Sequence, residues 1–136
     1  MTFVSVSGNL VADPVLRFTA GGMSVVNFGM VENHRQRDKD GQWQDVGRSF
    51  YQCTAWGDLA DHVKDSFTKG TRVIVTGRMT LSEYMRKDGG KGISAEINAE
   101  DVGASVRFTN VIVDQSDKSH EAEPIELEPV SEMAPF

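Results

Sequence analysis

The stretch Phe50-Tyr51-Gln52-Cys53-Thr54-Ala55-Trp56-Gly57-Asp58-Leu59-Ala60-Asp61-His62-Val63 changes its repeat halfway along. Up to Trp56 the alternation has a period of two. It places Phe50, Gln52, Thr54 and Trp56 on one face of a strand and Tyr51, Cys53 and Ala55 on the other. From Asp58 onward the apolar residues Leu59, Val63 and Phe67 fall at i, i+4 and i+8, one stripe of a helix. Asp58 stands where an N-cap belongs, and Gly70 stands where a left-handed C-cap belongs.

On both sides of this junction the chain reads as short strands. Phe3–Val11 is β-rich and closes on the turn signal Ala12-Asp13-Pro14. Val25–Val31 follows Gly21-Gly22 and puts Val26, Phe28 and Met30 on one face. Thr71–Leu81 carries Val73-Ile74-Val75, and Ser94–Val102 alternates Ala95, Ile97 and Ala99 against Glu96, Asn98 and Glu100. A last run, Val106–Val113, alternates Val106, Phe108, Asn110 and Ile112. Two charged segments, 33–48 and 82–93, read as long loops between strands. One helix between the third and fourth of five strands is the order of an OB-fold, a small all-β Greek-key barrel. The expected architecture is that barrel, an extra C-terminal strand and a disordered acidic tail. The domain boundary falls between residues 1–113 and 114–136.

Charge supports the division. From Asp114 onward there are seven carboxylates (Asp114, Asp117, Glu121, Glu123, Glu126, Glu128 and Glu132) against Lys118, which accounts for the whole net charge of −6. Residues 1–113 hold thirteen acidic and thirteen basic side chains, so overall acidity says nothing about what the folded part binds. The tail is either a solubilising terminus or a tether with a hydrophobic docking plug at Met133-Ala134-Pro135-Phe136. No apolar run is long enough to cross a membrane, and the N-terminus lacks a signal-peptide pattern. The single cysteine, Cys53, excludes an internal disulfide and a cysteine-rich metal site. A cytoplasmic, nucleoid-associated location is expected.

Two large aromatics with polar residues between them, Phe50 to Trp56, make either a base-stacking platform or a core face, and alternation alone leaves both open. Segment 33–48 adds Arg35, Arg37, Lys39 and Arg48 with Trp43; segment 82–93 adds Tyr84, Arg86, Lys87 and Lys91. Interleaved aromatic and basic residues suit the bases and phosphates of a single strand. Catalytic readings lack support. His34, His62 and His120 show no metal-ligand spacing, Asp58, Asp61 and Asp65 read as the exposed side of a helix, and no nucleophile has a base beside it. No catalytic residue, metal or cofactor is expected.

At these residues the chain resembles bacterial single-stranded DNA-binding proteins. The resemblance is carried by Val6-Ser7-Gly8-Asn9-Leu10-Val11-Ala12-Asp13-Pro14 with Leu16-Arg17-Phe18, by Val25-Val26-Asn27-Phe28, by Phe50 to Trp56, and by Lys69-Gly70-Thr71-Arg72-Val73-Ile74-Val75-Thr76-Gly77-Arg78. The terminal Pro135-Phe136 is similar to that family's partner-docking tip. A member of the high-GC Gram-positive type, or one encoded by a phage or plasmid, fits the pattern. The resemblance implies base stacking by Phe50, Trp56 and Tyr84, with Trp43 near Gln36, where many members have tryptophan. It implies phosphate contacts by Arg17, Arg37, Lys39 and Lys69, to which the loop cations Arg35, Arg48, Arg86 and Lys87 are added. It also implies a homotetramer, with Val106–Val113 as a subunit-clamping strand, and docking of replication and repair proteins at Glu132, Met133, Ala134, Pro135 and Phe136.

The reading that follows is sequence-nonspecific binding and protection of single-stranded DNA, with partner enzymes recruited through the tail. One alternative is an OB-fold protein–protein adaptor with weak DNA affinity, suggested by Gln36, Asp58 and Glu83. The other is a nuclease on the same scaffold, which would need a carboxylate cluster on the binding face.

Overall fold

The structure, a computed structural model, describes residues 2–114. The chain runs β1 (Thr2–Leu10), β2 (Val15–Phe18), β3 (Ser24–Arg37), β4 (Trp43–Trp56), α1 (Asp58–Ser66), β5 (Arg72–Met85) and β6 (Lys91–Ala104). The sheet order is β1-β5-β6-β4-β3-β2. β1 pairs along its length with β5 and, at its C-terminal end, with β3, so the sheet curls round and closes. β4 and β6 run parallel and the other pairs antiparallel. This is the OB-fold barrel, with α1 between its third and fourth long strands.

Closure needs backbone to pass close to backbone, and two glycines allow it. At Gly8, where β1 changes partner, a Cβ would run into the carbonyl oxygen of Val31. At Gly77 a Cβ would meet the Asn98 carbonyl oxygen. Here the register slips so that Thr76 faces Asp101 and Gly77 faces Ala99, leaving Glu100 as a bulge that bends the strand. The interior is filled by alternate residues: Val26, Phe28 and Met30 of β3, Cys53 and Ala55 of β4, Val73 and Val75 of β5, and Ile97 of β6. One end is plugged by Ala60, Val63 and Phe67, the apolar stripe of α1 and the residue that ends it.

The helix ends differ from the sequence expectation. The N-cap is Gly57, not Asp58. Its φ of 67° and ψ of −138° make the abrupt strand-to-helix corner, a conformation open to glycine. Asp58 and Asp61 instead occupy the first turn, where their charge complements the helix dipole. The helix stops at Phe67, whose backbone is extended. Gly70 (φ 90°) belongs to the following turn, and its N–H donates to the Leu10 carbonyl at 2.9 Å, joining the start of β5 to the end of β1.

Three other expectations change. The short β2 supplies a sixth strand that four residues were too few to announce. The segments 33–48 and 82–93 are two-stranded ribbons rather than loops, because strands β3–β4 and β5–β6 continue pairing far beyond the barrel. Val106–Val113 forms no strand in the single chain. The pairing of β6 with β5 ends at Ser105, whose N–H reaches the Arg72 carbonyl at 3.0 Å, and alternation that is not paired with another strand makes no ladder. Its apolar side chains stay in solvent, Ile112 at 95% exposure. The docking residues Glu132, Met133, Ala134, Pro135 and Phe136 lie outside the described residues, as does nearly all of 114–136.

Gly77→Ala should lower stability by about 1–3 kcal/mol, the usual cost of an overpacked interior. Gly103→Ala, on the same strand pair with open space around its Cα, should be nearly neutral. Urea unfolding of the two variants, monitored by circular dichroism, checks the contrast.

Candidate nucleic-acid interface

The outer face of the sheet is read off the register. Across β2, β3 and β4, Arg17 lies opposite Val25 and Val25 opposite Trp56; Asn27 faces Thr54, Gly29 faces Gln52 and Val31 faces Phe50. On the other side of β4, Gln52 faces Glu96 and Thr54 faces Asn98, and these continue to Thr80 and Arg78 on β5. The β4 alternation therefore turns Phe50 and Trp56 outward. Phe50 is 53% exposed and Trp56 47%, while Cys53 and Ala55 behind them are fully buried. Tyr84, 49% exposed, joins the same outer face from the β5–β6 ribbon.

Two of these rings lie on glycines. The Phe50 ring covers Gly29, where a Cβ would come within 2.8 Å of Cζ, and Val11 borders it. The Tyr84 ring covers Gly92, its cross-strand partner, so closely that a Cβ there would overlap the phenol. Between the rings a cleft of about 480 Å³ is lined by Phe50, Ser82, Tyr84, Ile93, Ser94 and Glu96. Its floor is polar. At the Trp56 end the Asn27 side chain is hydrogen-bonded to Thr54 Oγ1 at 3.0 Å; with its amide turned so that the oxygen faces Arg17, it donates to Thr54 and accepts from the Arg17 guanidinium, bridging two elements. Arg17 is thereby tied to β3, on the far side of Val25 from Trp56.

The remaining cations are arranged around this floor. Arg48 stands on β4 two residues before Phe50, on the same face. Arg35 and Arg37 lie along the β3–β4 ribbon and Lys39 at its tip, with Arg86 at the end of the β5–β6 ribbon and Lys87 in its turn. Lys69 is on the α1–β5 turn, outside the aromatic rows, with its backbone N–H bound to Asp13 Oδ1 at 2.7 Å. Trp43 is 62% exposed, with the Arg37 guanidinium 5.4 Å from its ring centre.

Three acidic residues of the ribbons have local duties. Asp38 accepts from the N–H groups of Asp40 (2.9 Å) and Gln42 (2.8 Å) and from Gln44 Nε2 (3.1 Å), so it builds the turn. Asp88 does the same for Gly90 at 2.9 Å. Asp45 holds Arg35 at 3.1 Å. No cluster of His, Cys, Asp or Glu among the described residues could hold a metal.

Sequence reasoning missed Gly29, Gly92 and Asn27, because their roles depend on cross-strand neighbours. It also missed Phe108, held between the Arg72 and Arg107 guanidiniums at 5.2 and 5.1 Å. Alternation set Glu96 on the face opposite Ile97 without marking it as part of the site.

A closed barrel with aromatic rings and polar groups on its outer sheet and two protruding ribbons defines an OB-fold of the oligonucleotide-binding type. Residues 1–105 match the Single-strand binding protein family, and the chain belongs to that family. Among its relatives, "Single-stranded DNA-binding protein" of Mycobacterium leprae is 37% identical over 119 residues, covering 87% of this chain and 71% of the relative. The protein of the same name in Mycolicibacterium smegmatis is 37% identical over 119 residues, covering 87% and 72%. Both come from the high-GC Gram-positive branch that the resemblance pointed to. The crystal structure of a small single-stranded DNA-binding protein from Streptomyces coelicolor superposes with a TM-score of 0.68 at 28% identity, covering 77% of this chain and 94% of that one.

Behind the platform, burial pushes the Cys53 thiol up to about 12. The folded thiol stays protonated where the unfolded one ionises, so stability is intact below the unfolded value and is lost as pH rises toward the folded one. The difference in unfolding free energy between the protein and Cys53→Ala should therefore shrink at about 1.4 kcal/mol per pH unit above pH 9. Iodoacetamide at pH 8 should label Cys53 only in denaturant.

Proposed function

We propose that this protein binds and protects single-stranded DNA without sequence preference, in replication, recombination and repair. The observation that carries the proposal is the exposure of Phe50, Trp56 and Tyr84 on one outer sheet face, around a polar floor, in a chain of the single-strand binding family. Exposed rings of this kind have no role in the core, and each can stack on a base for about 1–3 kcal/mol. Arg17, Arg35, Arg37, Lys39, Arg48, Arg86 and Lys87 flank that face as phosphate contacts, with Lys69 more remote and Trp43 an additional ring. The proposed mechanism is binding, without a chemical step.

Two further parts of the proposal rest on other features. Phe3 and Ile74 on the outer face of β1 and β5, with Val106, Phe108, Ile112 and Val113, form apolar surface of the sort that subunit contacts cover. This supports a homotetramer in which residues 106–113 pair with a strand edge of a neighbouring subunit. Residues Glu132 to Phe136, an apolar tip on an acidic segment, suit docking of replication and repair enzymes.

Titration with oligo-dT should quench tryptophan fluorescence as Trp56 is stacked upon. The slope of log K against log salt, about −0.7 for each phosphate neutralised, should be shallow in total, because carboxylates near the cations keep the number neutralised small. Phe50→Ala with Tyr84→Ala should weaken binding by about 2–6 kcal/mol while thermal unfolding stays cooperative, with the barrel folded at the temperature of the titration. Absence of quenching and binding at low salt would favour the adaptor reading. Deleting Ala134–Phe136 should leave oligo-dT affinity intact and abolish capture of replication and repair enzymes in a pull-down.

A further inference from the structure

Glu96 is an anomaly on this face. It is exposed, it lies in the cleft between Phe50 and Tyr84, and its cross-strand neighbours are Gln52 and Thr80, both neutral. Among the described residues, no ion pair or hydrogen bond engages the Glu96 carboxylate. The nearest row that holds a cation, Arg78, spends it on Glu100 at 3.3 Å. A bare carboxylate on a surface that takes up a polyanion costs affinity unless it meets a donor.

We propose that Glu96 discriminates between bases seated in the Phe50–Tyr84 cleft, accepting a hydrogen bond from an exocyclic amino group. The inference rests on the single-stranded DNA reading above. An ionised carboxylate can only accept, whereas cytosine presents the N4 amino donor at the position where thymine presents the O4 acceptor. Cytosine therefore satisfies Glu96, and thymine sets oxygen against oxygen. The same charge repels phosphates from the floor, so the strand enters with bases inward and its backbone toward Arg48 and the ribbons. Stacking on Phe50 and Tyr84 remains indifferent to base identity, and Glu96 adds a modest bias on top of it.

The test compares the full chain with Glu96→Gln, a side chain of the same shape that both donates and accepts. Fluorescence titrations use oligo-dC and oligo-dT of equal length at neutral pH and several salt concentrations. The substitution should tighten oligo-dT binding by about threefold or more per site and change oligo-dC binding by less than about twofold, since glutamine's amide NH₂ reaches O4 and its oxygen still serves N4. Equal tightening of both oligonucleotides with a steeper salt slope would overturn the proposal, because Glu96 would then act as a plain charge against phosphate. Unchanged affinity for both would overturn it as well. If the unsubstituted protein bound neither oligonucleotide, the single-stranded DNA reading itself would fall. Thermal unfolding of both proteins should coincide, as Glu96 supports nothing in the core.

Discussion

Register along β4 is the constraint on which the rest of the molecule depends. Displaced by one residue, the strand would put Cys53 and Ala55 into water and drive Phe50 and Trp56 into the barrel. That displacement is opposed from both sides: β3 pairs antiparallel with β4 over its whole length, and β6 pairs parallel with its second half. Helix α1 then follows within two residues of Trp56, through the glycine corner at Gly57, and seats Ala60 and Val63 in the end of the same barrel. Interior packing and the outer aromatic face are thus two readings of one strand, and neither can be altered by a shift that spares the other.

Electrostatics on this scaffold is local rather than global. Residues 1–113 are neutral in sum, yet three acidic side chains of the ribbons, Asp38, Asp88 and Asp45, are occupied in building turns or holding one arginine. The positive groups that remain are spaced along the ribbons and at Arg17 on β2, around a floor of amides and hydroxyls. A strand lying there would meet rings and hydrogen-bonding groups first and cations at the rim. On the proposed function, this makes stacking the main source of affinity and charge the means of alignment.

Much of this was legible in the sequence. Alternation divided β4 into its two faces but left open which of them is the core, and the i, i+4, i+8 stripe located α1. The helix ends were misread because Asp58 and Gly70 fit capping statistics, whereas the corner geometry demanded Gly57. The ribbons were misread as loops because charged residues are poor strand formers, although a paired neighbour is enough to hold them extended. Val106–Val113 erred in the opposite direction: its pattern suits a strand, but pairing depends on an edge that composition does not reveal. The glycines beneath Phe50 and Tyr84 were invisible for the same reason, since a cross-strand neighbour has no signature in a single chain.

Those glycine seats have a consequence for recognition. A ring pressed onto bare backbone has surrendered much of its rotational freedom before any ligand arrives. Immobilising a free side chain at an interface costs about 0.5–1.5 kcal/mol, and for Phe50 and Tyr84 much of that cost is met when the barrel folds. A surface prepared in this way accepts a flexible polymer without first rearranging itself, so the ordering penalty falls chiefly on the polymer.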